Sequence, residues 1–163
     1  MEIVAEEVKP EVVAPVVAKE DELRMYLVVN TDLNMGLGKT GVQIGHAVEY
    51  LLDKRDELLA KCDMWQDMLA CSLIGDLSPS IGDLCWRRAV EFNTWKHQSH
   101  CKISLAANTD EFNQVKEENP DNHVVVVDAG RTEIKPGAET VIGLYPMKKS
   151  DRSKTLQALK PLK

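Results

Sequence analysis

The stretch Val124-Val125-Val126-Val127-Asp128-Ala129-Gly130-Arg131-Thr132, followed by Lys135-Pro136-Gly137-Ala138 and Thr140-Val141-Ile142-Gly143-Leu144-Tyr145, decides how the chain is read. Four β-branched residues without alternation predict a strand buried on both faces, as in the middle of a helix-covered sheet. The first polar side chains then fall at the carboxyl edge of that strand, where open α/β sheets place their ligand crevices. Gly130 has no Cβ, so the backbone can turn sharply or admit a ligand closely there. Residues 135–138 predict a turn, with Pro136 at its second position and Gly137 accepting φ > 0 at its third. Residues 140–145 predict a second strand, antiparallel to the first. Such a hairpin brings Asp128, Thr132 and Thr140 near one another. Two readings stand side by side here: the polar groups satisfy turn amides, or they form a site.

A counterpart lies near the start of the chain. Met25-Tyr26-Leu27-Val28-Val29 predicts a first strand, ending in Asn30-Thr31-Asp32 and the loop Leu33-Asn34-Met35-Gly36-Leu37-Gly38-Lys39. From Thr40 onward Ile44, Ala47, Val48, Leu51 and Leu52 recur at helical spacing and form one core stripe. Lys39, Gln43, His46 and Tyr50 step by four, three and four residues on another face. Water commonly explains such a polar stripe. The specific alternative is that Lys39 and Gln43 overhang the carboxyl edge of the sheet, where the amino end of the helix adds partial positive charge.

Two nucleotide-binding motifs are imitated in this loop. Gly36-Leu37-Gly38-Lys39-Thr40-Gly41 fits G-x-G-x-x-G, but its first glycine comes six residues after Asn30, and Asp53 and Asp56 fall inside the helix. Gly38-Lys39-Thr40 fits the end of a P-loop, but Leu33 stands where that loop needs its first glycine. The P-loop cradle therefore cannot form in the usual way, and a nucleotide-binding enzyme using the glycine loop is the weakest reading of this segment.

The rest of the chain alternates. Residues 40 to about 73 predict one long helix or two, and Gly75, Pro79 and Gly82 punctuate the segment after it. A helix from about Cys85 to His97 carries Trp86, Val90 and Trp95. Cys101 to Ala106 predicts a strand, and Asn108-Thr109-Asp110-Glu111 a helix cap leading to a short helix that stops near Asn119-Pro120. Leu156, Leu159 and Leu162 anchor a last helix or strand. This order predicts an α/β fold: three α/β/α layers around a small mixed β-sheet.

At 163 residues this is one domain's worth of chain. The net charge is −6, yet residues 1–22 hold seven acids against Lys9 and Lys19, or −5, leaving −1 for the remainder. A local basic patch is therefore permitted. The acidic segment predicts a disordered tail or tether, with residues 23–163 as the domain. Cys62, Cys71, Cys85 and Cys101 form no CxxC pair, and no 18-residue apolar run spans a membrane. A reducing, cytoplasmic setting with free thiols is the expectation. His97, His100 and Cys101 match no common zinc spacing, so no metal is expected.

The two polar clusters carry a resemblance. Asp128-Ala129-Gly130-Arg131-Thr132 with Ile134, Pro136-Gly137 and Thr140-Val141, and separately Asp32, Met35-Gly36-Leu37-Gly38-Lys39, Gln43 and His46-Ala47, resemble the signature of the archaeal and eukaryotic type of peptidyl-tRNA hydrolase, the type 2 family. Leu37 stands where that pattern has a lysine, and Gly41-Val42 where it has a small Ala-Ala pair. Residues 60–84 look like an insertion relative to the family, apolar enough to pack on the body or cover a dimer face. The resemblance implies hydrolysis of the ester joining a peptide to the 3′ ribose of tRNA. Its functional positions fall on Lys39, Gln43, Asp128, Thr132 and Thr140, with His46, Gly130 and Arg131 as further substrate-binding candidates. It implies peptidyl-tRNA as partner, a homodimer, and no cofactor, because an ester needs only a positioned water and a stabilised oxyanion. As a base, Asp128 would need its pKa raised by burial or polar neighbours. The alternative is a non-catalytic relative that keeps the fold as a tRNA- or protein-binding module.

Overall fold

The computed structural model describes residues 22–70, 79–131 and 134–163, with the side chains of 61–70 and 79–86 excepted. Residues 1–21 of the acidic tail, residues 71–78 of the expected insertion, and Thr132 lie outside the described residues. Five strands form one mixed sheet in the order β3-β4-β1-β2-β5. They are β1 Arg24–Asn30, β2 Lys102–Ala107, β3 His123–Val127, β4 Glu139–Met147 and β5 Lys160–Pro161. β1 and β2 are parallel, and the other pairings are antiparallel.

β1 shows why a continuous apolar run suits the centre of such a sheet. Met25, Leu27 and Val29 point to one core, while Tyr26 and Val28 point to the other. The first core is completed by Ala47 and Leu51 of α1 (Leu37–Ala70) and by Phe92 of α2 (Pro79–Thr94). The second is completed by Phe112 and Val115 of α3 (Thr109–Glu118) and by Leu156 of α4 (Lys154–Ala158). These are the three expected layers.

The valine run takes a different place from the one its composition predicts. β3 is an edge strand paired only with β4, and not a central strand buried on both faces. Val124 and Val126 enter the first core, Val125 is only partly covered, and Val127 is 53% exposed. β-Branched composition selects the strand conformation, whereas burial of the second face depends on a helix above it, and α3 packs over β1 and β2 instead.

Residues 37–70 form a single helix, about 50 Å long at 1.5 Å per residue. Its close seat on the sheet depends on Gly143, where a Cβ would come within 2.8 Å of Leu51 Cδ1. Gly38 and Gly41 lie within the first turns of this helix, not in a loop that could wrap a phosphate. α3 has a full capping box: Asn108 Oδ1 accepts from Glu111 N at 2.9 Å, and Glu111 Oε2 accepts from Asn108 N at 2.9 Å. The C-terminal leucines anchor both a helix and a strand, with Leu156 buried and Leu162 N donating to Ser104 O at 2.9 Å.

Candidate active site

The hairpin between β3 and β4 and the first turns of α1 meet at the carboxyl end of β3. Asp128 N donates to Ala138 O at 2.9 Å, Gly137 N to Asp128 O at 2.8 Å, and Ala138 N to Lys135 O at 3.2 Å, closing the expected turn with Gly137 at φ 82°. Gly130 is at φ 71°, and a Cβ there would fall 2.3 Å from Pro136 Cγ. Only glycine fits both the angle and the space. The backbone thereby fixes Asp128 at the mouth of the hairpin.

The Asp128 side chain is buried, and its two oxygens have separate partners. Oδ1 accepts from Gly130 N at 2.6 Å, which is the turn-amide reading of this residue. Oδ2 accepts from Gln43 Nε2 at 2.7 Å and forms an ion pair with Lys39 Nζ. One oxygen thus answers to the turn and the other to the side chains of α1. Thr140, wholly buried, lies 3.0 Å from Gln43 Oε1 and 3.1 Å from Val126 O, and its hydroxyl can donate to either. With the Gln43 amide nitrogen turned to the carboxylate, its oxygen faces the threonine, the orientation that an ionised Asp128 requires.

The Lys39 hydrogen bond, followed by the Gly130 amide, holds the Asp128 carboxyl below its ordinary value of 3.8. The raised pKa that a general base would need is therefore not what the site produces.

These groups line a cleft of about 300 Å³ together with Val42, His46, Tyr50, Val126, Val127, Ala129 and Arg131. His46 lies 3.6 Å from Glu49 and stacks with Tyr50. Of the residues singled out by sequence, Lys39, Gln43, Asp128 and Thr140 thus form one hydrogen-bonded chain. His46 and Arg131 stand on the cleft wall, and Gly130 supports the carboxylate through its amide. Val42 and Val127 line the cleft without having been singled out for it; for Val42 the departure from the small-residue pattern was the available signal. A larger hollow of about 410 Å³ beside Arg88, Glu91 and Asn122 lies at the opposite end of β3 and contains none of the motif residues.

The family model described as "Peptidyl-tRNA hydrolase PTH2" matches residues 23–162. Peptidyl-tRNA hydrolase of Saccharolobus solfataricus is 28% identical over 128 residues, covering 76% of this chain and 86% of the relative. That of Sulfurisphaera tokodaii is 30% identical over 127 residues, covering 76% and 84%. A probable peptidyl-tRNA hydrolase 2 of Schizosaccharomyces pombe is 29% identical over 132 residues, covering 78% of this chain and 50% of the relative. A match over nearly the whole described domain, with both polar clusters inside it, is decisive: the chain belongs to the peptidyl-tRNA hydrolase PTH2 family.

Proposed function

We propose that this protein hydrolyses the ester between a peptide and the 3′ ribose of tRNA, releasing free tRNA, with the Lys39–Asp128–Gln43–Thr140 chain as its reactive centre. The observation that carries this reading is the contact of Lys39 with Asp128 at the floor of the cleft, in a chain of this family. Water attacks the ester carbonyl carbon, the bond from that carbon to the ribose oxygen breaks, and the proton ends on the ribose oxygen. The developing oxyanion needs positive charge or N–H donors nearby. Lys39 supplies them, beside the positive amino end of α1.

Asp128 works by orientation. It stays ionised, anchors the lysine ammonium in place, and turns the Gln43 amide. A carboxylate has about four acceptor sites. Gly130, Gln43 and Lys39 take three of them, and the attacking water completes the set. Thr140 is a positioning residue that acts through Gln43, because its hydroxyl is buried beneath the amide. Arg131, exposed at the rim, takes a tRNA phosphate. Leu37 stands outside the residues lining the cleft, so the missing family lysine leaves the reactive groups untouched.

Incubation of the purified chain with N-acetyl-aminoacyl-tRNA tests the reading: free tRNA is expected, and intact substrate contradicts it. A homodimer and a cytoplasmic site of action belong to the same proposal. Sedimentation equilibrium is expected to give twice the 18.2 kDa chain mass.

A further inference from the structure

Among the described residues, the large apolar side chains that stand exposed are Leu37, Val42, Tyr50, Val90 and Val127. Three of them, Val42, Tyr50 and Val127, line the cleft that holds Lys39 and Asp128, and the ester chemistry uses none of the three. Apolar side chains scattered over a surface need no explanation. Collected on the wall of one cleft, they mark a contact. Helical spacing builds this wall: Val42, His46 and Tyr50 succeed one another at four-residue intervals on α1, and Val127 joins them from the end of β3. The His46 and Tyr50 rings are nearly parallel, with centroids 6.4 Å apart and planes 24° from each other, an offset stack. At 1.5 Å per residue, they stand about 4.5 Å and about 10.5 Å further along the helix than Gln43.

We propose that this wall is the subsite for the base of the substrate's 3′-terminal nucleotide, with the base stacked on the His46–Tyr50 pair and flanked by Val42 and Val127. The inference rests on the hydrolase reading and deepens it. Two parts of the substrate flank the scissile ester: the peptide, and the ribose with its base. Peptide side chains differ from one substrate to the next, so a fixed aromatic surface gains nothing constant from them. The terminal base is constant and flat, and aromatic faces bind any base by stacking. Glu49, 3.6 Å from His46, disfavours a phosphate on this wall, whereas a neutral base is indifferent to it. The rings also stand on the same helix as Gln43, about one and about two turns beyond it, and line the same cleft as Asp128.

The test is binding of deacylated tRNA to the full chain, compared with the same tRNA carrying an abasic 3′-terminal nucleotide and monitored by fluorescence anisotropy. Base–aromatic stacking of about 1–3 kcal/mol corresponds to roughly 5- to 150-fold in affinity. Wild-type protein is expected to lose that factor on the abasic tRNA. Tyr50→Ala is expected to lose a similar factor on intact tRNA and nothing further on the abasic form, while Tyr50→Trp retains the preference. Tyr50 is 42% exposed, so the variants should fold, and an unchanged thermal midpoint checks this. Because no turnover is needed, the outcome is readable even if hydrolysis fails. Equal binding of intact and abasic tRNA by wild type, or an equal loss on both in Tyr50→Ala, overturns the proposal. So does a Tyr50→Ala penalty in kcat/KM that differs between N-acetyl-glycyl- and N-acetyl-phenylalanyl-tRNA, which would assign the wall to the peptide.

Discussion

Each oxygen of Asp128 answers to a different part of the chain, Oδ1 to the Gly130 amide and Oδ2 to Gln43 and Lys39 on α1. Its depressed pKa has a definite sign in pH terms. The unfolded chain binds this proton more avidly than the folded one, so the stabilising contribution is complete above the ordinary 3.8 and disappears as pH falls through the lower folded value. Titration of the Asp128 carboxyl carbon by NMR is expected to give a midpoint below 3.8, and a midpoint raised above 3.8 would restore the general-base role. Gly130 offers a test of the scaffold. Gly130→Ala places a side chain at φ 71° against Pro136. It should cost about 1–3 kcal/mol of stability in chemical denaturation. That Lys39 and Gln43 share one helix face, and Asp128 and Thr140 one hairpin mouth, was legible from spacing, whereas the link between the two groups came only with the family resemblance. The direction of the Asp128 shift was legible from neither, since it depends on which cation touches which oxygen.

At the scale of elements, the strands, the capped helix and the hairpin were all readable from local pattern, whereas the position of β3 in the sheet was not. A run of valines reports backbone preference and says little about how many neighbours a strand has, which is settled by pairings far apart in sequence. β1 carries a similar run and is central, because β4 and β2 flank it and helices cover both faces. α1 aims Lys39 and Gln43 at the hairpin only if it lies close on β4, and Gly143 sets that closeness. In Gly143→Ala the new methyl meets Leu51 at 2.8 Å and Val124 at 3.1 Å. Overpacking of this kind costs about 1–3 kcal/mol, expected as a fall in thermal midpoint of roughly 2–4 °C per kcal/mol. Combining it with Leu51→Ala should give less than the sum of the two losses, because the second change makes room for the first. Strict additivity would show that the helix is not seated through this contact.

For the whole molecule, a net charge of −6 has to be reconciled with a polyanionic substrate. Most of that charge sits in residues 1–22, and Arg131 and Lys135 stand exposed at the hairpin beside the cleft. With so few exposed cations beside the cleft among the described residues, the salt dependence of tRNA binding should be shallow. Each phosphate contact contributes a log–log slope of about −0.7 to −0.9, so an overall slope between roughly −1 and −3 is expected. A slope near −6 would require a basic surface elsewhere on the protein. The central claim is that Lys39 and Asp128 together perform the ester hydrolysis. The most direct measurement is kcat/KM on N-acetyl-aminoacyl-tRNA for wild type, Asp128→Asn, Lys39→Ala and the double variant, each with its thermal midpoint. Loss of oxyanion stabilisation is worth on the order of 10²–10³ in rate, so each single variant should fall by about that factor, and the double by little more than either. Activity within about threefold of wild type in Asp128→Asn, in a folded protein, would contradict the account.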